Sequence, residues 1–348
     1  MKKMKFIRIF SCVLLIAIFA MTGCSASKTN NKDADVNEYE EAVFDREAIE
    51  GKMAVYYLSS GLTLSNWNGQ VAGGDAILMI FPDGTTALLD CGHQAEGAHV
   101  LNRMKQLGIE KLDYFIVSHP HTDHIGGFDI IARHIEIEHI YMPPTEVMER
   151  ADVVGLDFIN TIEALSIPYT HVAAGDTFKI AEDVTVNVYN PEKGFGENTK
   201  INLNESSLLL KFIYKDSSFL FTGDIANNDV SDKFNHATED WLVKKYGDEL
   251  KADVLKIAHH GNGDTMSSME YRAAISPKIT VTISTFPRDL GEHNKNITAG
   301  AVALNTALDG DILVCTDGDG TYTVGVCHER TAAEYETLDT DKGFMIID

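Results

Sequence analysis

The largely apolar run Leu112 to Val117 passes directly into Ser118-His119-Pro120-His121-Thr122-Asp123-His124-Ile125-Gly126-Gly127. A buried strand therefore ends where three imidazoles and a carboxylate begin. That juxtaposition requires a fold in which the strand end meets an open rim, reachable by ligands from elsewhere in the chain. Imidazole nitrogen with carboxylate oxygen is the donor set of borderline divalent metals, zinc first, with manganese or iron as alternatives. His119 and His121 are two residues apart and point the same way in an extended loop, while Asp123 and His124 turn toward a second position. The plainer reading is a solvated histidine-rich loop. Further candidate ligands at later strand ends weigh against it.

The N-terminus reads as an export signal. Lys2, Lys3, Lys5 and Arg8 precede Ile9 to Met21, an uncharged and mostly apolar run. It is shorter than the ~20 residues a membrane-spanning helix needs, as in a secretory signal. Met21-Thr22-Gly23-Cys24 resembles a lipobox, although Met21 stands where leucine is usual. Residues 1–23 are thus expected to be a lipoprotein signal peptide, with lipid on Cys24 anchoring the chain to the outer face of a bacterial cell membrane. An ordinary signal peptide or an uncleaved anchor is the alternative. Residues 24–51 carry few apolar side chains and read as a flexible tether, leaving 52–348 as the folded domain.

Charge narrows the partners. The chain has 29 basic and 52 acidic residues, a net charge of −23, and no long basic cluster after the signal. Such a surface repels phosphate backbones unless a local groove or a bound metal overrides the field. Nucleic acid is therefore disfavoured as a partner, and a small or cell-surface ester is favoured. Beyond Cys12 and Cys24 only Cys91, Cys315 and Cys327 remain. Hairpin register around Asp317 to Gly320 puts Cys315 opposite about Tyr322, so no Cys315–Cys327 disulfide is expected.

Met53 to Leu58, Ala76 to Phe81 and Thr86 to Asp90 read as strands, with Pro82-Asp83-Gly84 as a turn. Helical spacing runs from His99 to Leu107, stopped by Gly108, and further helices are expected over 146–165 and 226–246. Strands are expected at 184–188, 207–213, 218–222, 254–258 and 279–284, with a closing hairpin of 312–315 and 321–326. Such runs of strands interrupted by helices suggest two packed sheets with helices outside.

The spacing His119-x-His121-x-Asp123-His124 resembles the signature of metallo-β-lactamase-fold hydrolases, an α/β fold built as an αββα two-sheet sandwich with its metal site at one edge. The resemblance extends to Gly74-Asp75-Ala76, Asp90-Cys91-Gly92, Phe221-Thr222-Gly223-Asp224 and Leu255-Lys256-Ile257-Ala258-His259-His260-Gly261. Together these are most similar to the hydrolase domain of ComEC-like DNA-uptake channels, here without the channel's membrane helices. Bacterial surface phosphorylcholine esterases have a similar layout.

The resemblance implies two divalent metal ions. His119 and His121 would bind the first; Asp123, His124 and either His259 or His260 the second; Asp224 would bridge them. A paired site stabilises attacking and leaving oxygens together. Lowering water's pKa from about 15.7 to about 7 cuts the cost of hydroxide by roughly 12 kcal/mol, so no Ser or Cys nucleophile is needed. Many members carry a further histidine where this chain has Ile201 to Ser207, so the third ligand of the first metal is open. Asn204, in that stretch, either orients a phosphate oxygen or caps the strand. His293 lies in a polar loop where competence-type domains also carry histidine; it either protonates a leaving group or is a surface residue. Lys256 is expected to pair with an acid, and His134, His139 and His171 to lie outside the site.

The expected function is an extracytoplasmic metal-dependent phosphodiesterase acting through metal-bound hydroxide, nuclease-like or phosphorylcholine-esterase-like. The alternative is a non-catalytic metal- or ligand-binding surface lipoprotein.

Overall fold

The computed structural model describes residues 38–60, 73–150, 153–194, 202–225, 237–261, 267–284 and 300–328, together with the short pairs 338–339 and 344–345. The signal segment, Cys24 and His293 lie outside the described residues. Its first sheet takes β1 (Met53–Tyr57), β2 (Ile77–Ile80), β3 (Thr86–Leu89), β4 (Lys111–Ile116), β5 (Glu136–Met142) and β6 (Tyr169–His171). The second takes β7 (Thr177–Ala181), β8 (Val184–Asn190), β9 (Leu209–Tyr214), β10 (Ser217–Phe221), β11 (Val254–Lys256), β12 (Ile279–Thr282) and β13 (Val302–Asn305). The hairpin β14 (Ile312–Thr316) and β15 (Thr323–Val326) returns to the first sheet beside β1.

The layering follows from strands that are apolar on both faces. In a strand, successive side chains point to opposite sides. Ala54 and Tyr56 enter the core shared with the helices, while Met53, Val55 and Tyr57 enter the core between the sheets. The second sheet repeats the device. Leu210, Phe212 and Tyr214 face the first sheet, whereas Leu209, Leu220 and Leu255 pack outward in a third core. Four layers result, helix–sheet–sheet–helix.

The outer helices are α1 (Glu38–Val43), α2 (Gly97–Gln106), α3 (Thr122–Ile125), α4 (Phe128–Ala132), α5 (Thr145–Met148) and α6 (Val153–Leu165) on one side. On the other are α7 (Ala237–Tyr246) and α8 (Met269–Ile275). Ser268 caps α8 by accepting a hydrogen bond from the Tyr271 amide, which satisfies one of the free donors of the first turn.

Strand direction sets the working edge. β3, β4, β5 and β6 run parallel, as do β10 to β13. β2 runs antiparallel to β3, with Ile77 opposite Leu89. The start of β2 and the ends of β3 and β4 therefore meet at one edge.

Several boundaries differ from the sequence expectation. The single helix expected over 146–165 is two, because α5 ends at Met148 and a turn at Glu149 and Arg150 follows it before α6 (Val153–Leu165). The described helix within 226–246 is Ala237–Tyr246, and residues 226–236 lie outside the described set. β11 stops at Lys256, since His259 and His260 take left-handed backbone angles that no strand holds. Packing also begins before Lys52: Val43, Phe44 and Ile49 are buried, and Phe44 stacks on Tyr56 with centroids 5.4 Å apart. Residues 38–51 are thus part of the fold rather than of the expected tether. Cys91, Cys315 and Cys327 are buried, with Cys315 opposite Thr323.

Candidate metal centre

Four side chains from three strand ends converge. Asp123, His124, Asp224 and His260 each offer a ligand atom, all within 4.8 Å of one another. His124 Nε2 lies 3.2 Å from Asp224 Oδ2, and His260 Nε2 lies 3.3 Å from Asp123 Oδ2 and 3.6 Å from Asp224 Oδ2. His260 therefore joins the Asp123–His124 group expected for the second metal. His259 stands at the edge, its Nε2 3.8 Å from Asp224 Oδ2.

His119 and His121 are neighbours of this group. His119 Nε2 is 2.9 Å from His121 Nδ1 and 3.9 Å from Asp224 Oδ2. Asp224 is thus adjacent to both expected positions. In the stretch lacking the extra histidine, Ser207 Oγ accepts the Asp224 amide at 3.0 Å, and the Asn204 carbonyl accepts the Ser207 amide at 3.0 Å. Asn204 is buried, with its Oδ1 making no hydrogen bond.

Backbone strain holds the ligand turn. His259 and His260 have φ of 47° and 55°, a region costing an L-residue roughly 1–2 kcal/mol. The His259 amide donates to the Gly223 carbonyl, and His260 Nδ1 is 3.1 Å from the Ile283 carbonyl. That contact makes Nδ1 a donor and turns Nε2 toward the carboxylates. His124 is oriented in the same way: Nδ1 is 2.8 Å from Asp90 Oδ2. Asp90 also accepts the Ser118 amide and hydroxyl at 2.7 and 2.6 Å. A carboxylate behind a ligating histidine fixes its tautomer and raises its basicity.

Charge inside the site is strongly coupled. Burial opposes ionisation of Asp224, yet His124, His260 and His259 hold its carboxyl well below the usual range. For Asp123 burial is likewise outweighed by His124 and His260. Burial disfavours a charged His124, but Asp224, Asp90 and Asp123 carry its imidazole well above its ordinary value; Asp224 and Asp75 do the same for His260. Burial, reinforced by His124, pushes His119 well below.

Occupancy by a metal fits these residues. His124 Nε2, His260 Nε2 and Asp224 Oδ1 are buried without a hydrogen bond, and each such orphan costs about 1–3 kcal/mol. A divalent cation would satisfy them together, and nitrogen with oxygen suits zinc, manganese or iron.

Two supports escaped the sequence reading. Ser118 appeared there only as the first residue of the motif. Glu96 is buried and accepts the Gly74 and His93 amides, with no local pattern to announce it. Lys256 pairs with Asp75 as expected. His134, His139 and His171 bond to Ile130, Thr170 and Pro143.

The Metallo-beta-lactamase superfamily profile matches residues 71–279. The chain is 28% identical over 174 residues to ComE operon protein 3 of Bacillus subtilis, covering 50% of this chain and 20% of that protein. It is 26% identical over 216 residues to competence protein ComA of Neisseria gonorrhoeae, covering 59% and 24%. A 59-residue stretch is 37% identical to the anti-Pycsar protein Apyc1 of Bacillus phage vB_BsuM-Goe3, covering 17% and 21%. The matches thus span about a fifth to a quarter of these relatives. With its two-sheet sandwich and strand-end histidines and carboxylates, the chain belongs to the metallo-β-lactamase superfamily.

Proposed function

We propose that the chain is a metal-dependent phosphodiesterase acting outside the cytoplasm, tethered to the membrane through lipid on Cys24. The observation that carries the reading is the convergence of the buried His124 Nε2 and His260 Nε2 on Asp123 and Asp224. His119 and His121, beside Asp224, extend the donor set to a second ion. Bound divalent ions at such a site acidify water and stabilise charge on the oxygens of an in-line displacement. The protein's part is to hold the imidazoles in one tautomer through Asp90 and Ile283, and to keep Asp224 ionised between the two groups. Asn204 would donate its side-chain amide N–H to a phosphoryl oxygen, and His293 would protonate the leaving group. The net charge of −23 favours a small or cell-surface ester over a nucleic-acid chain.

The test is hydrolysis of bis(p-nitrophenyl) phosphate by a chain starting at Ser25, metal-free and with Zn²⁺ or Mn²⁺. Turnover that needs metal and disappears in His121→Ala is expected. Bound metal without turnover would replace this reading by that of a non-catalytic metal- or ligand-binding surface lipoprotein.

A further inference from the structure

Behind the rim ligands lies another set of ligand atoms. Asp75, Asp90 and His124 are all buried, and each offers an atom within 4.8 Å of the others. By donor type this cluster is itself suited to a cation. One is already there. Lys256 is 0% exposed; its ammonium is ion-paired with Asp75, lies 3.8 Å from Asp224 Oδ1 and donates to the Gly223 carbonyl at 2.9 Å.

We infer that Lys256 is a positioning residue whose ammonium is the built-in cation of this deep cluster, closing Asp75 to metal and confining divalent ions to the rim formed by His119, His121, Asp123, His124, Asp224 and His260. The inference rests on the metal-dependent reading above. Lysine is almost never fully buried unless paired, and a methionine or leucine would fill the same core volume without a desolvation cost. The charge is what distinguishes the residue. Without it, Asp75 would join Asp90, Asp123 and Asp224 as a fourth carboxylate in one buried pocket, and that pocket would draw a metal ion inward. The same ammonium fixes the turn that presents Asp224. It holds the carbonyl of Gly223, whose φ is 50° and where a side chain would meet Ser207 Cβ at 2.6 Å.

The experiment is metal stoichiometry at saturation, by equilibrium dialysis and elemental analysis with Zn²⁺ and with Mn²⁺. It compares the wild-type chain, Lys256→Ala and Lys256→Ala/Asp75→Asn. Lys256→Ala vacates both the space and the charge, so it should take up one more divalent ion per chain than wild type. The double variant, with no carboxylate at residue 75, should return to the wild-type count. Equal counts in wild type and Lys256→Ala overturn the inference. If Lys256→Ala is unfolded in chelator, Mn²⁺ must restore its far-ultraviolet circular dichroism, and failure to do so also overturns it. A wild-type chain that binds no metal defeats the proposed function and this inference together. An additional ion in Lys256→Ala without phosphodiester turnover by wild type defeats the proposed function alone.

Discussion

Asp90 Oδ2 lies 2.8 Å from His124 Nδ1, and this contact decides which nitrogen of His124 faces Asp224. Asp90 receives three donors, from the Ser118 amide, the Ser118 hydroxyl and the imidazole. Asp90→Asn would set an amide N–H against one of them. Asparagine tolerates the left-handed backbone at this position, where φ is 57°, so the fold should persist. Metal affinity should fall about 10–100-fold, measured by competition with a chromophoric chelator. Unchanged affinity would mean that Asp90 does not control the histidine.

Gly74 is required by the ligand loop rather than by its own backbone angles. A Cβ at residue 74 would sit 1.7 Å from the Asp123 carbonyl oxygen and 2.9 Å from Gly92 Cα. Neither is a flexible side chain that could swing aside. Gly74→Ala should cost about 3 kcal/mol in urea unfolding and should lower metal uptake through displacement of Asp123. Wild-type stability in this variant would show that the loop can shift freely.

Glu96 gives stability a pH dependence. Burial pushes its carboxyl from 4.5 up to about 8, against the hydrogen bonds from the His93 and Gly74 amides. Its folded pKa is raised, so between those values the folded chain binds the proton that the unfolded chain releases. Stability contributed by this group is present below about 4.5 and declines as pH rises to about 8. Each pH unit in that window costs up to about 1.4 kcal/mol. Metal-free Glu96→Gln should match wild type near the bottom of the window and exceed it at the top, by thermal melts across pH. Parallel curves would rule out a titrating Glu96.

The candidate rim residues were legible because His119, His121, Asp123 and His124 sit on one segment after a buried strand, and the rest on strand ends matching a known pattern. β5 was not assigned, although Glu136 to Met142 alternates exposed and buried residues along its first half; its charged face masks the apolar one. The turn after α5 leaves no sequence mark, because Glu149-Arg150-Ala151-Asp152 contains neither glycine nor proline. Glu96 and Lys256 are residue types that belong on a surface. Only their partners at Gly74, His93, Asp75 and Gly223 explain their burial, and those partners lie 3 to 181 residues away in sequence.

The N-terminal boundary is a further test, because packing there contradicts composition. Residues 38–51 are rich in acids, yet Val43, Phe44 and Ile49 enter the helix-side core. Arg103 of α2 fastens the segment. Its guanidinium lies 4.7 Å from the Phe44 ring centroid, pairs with Glu40 and reaches Asp311 at 2.7 Å. Asp311 in turn accepts the Ser59 amide and hydroxyl at 2.7 and 2.9 Å, tying α1, α2 and the hairpin strand β14 together. Loss of a buried phenylalanine alone costs about 3–5 kcal/mol. A chain beginning at Lys52 should therefore unfold at markedly lower urea than one beginning at Ser25, with a loss of about 3 kcal/mol or more. Phe44→Ala in the longer chain should reproduce most of that loss, since the ring contributes both the Tyr56 stack and the surface beneath Arg103. Equal midpoints for the two chain lengths would return residues 38–51 to the tether.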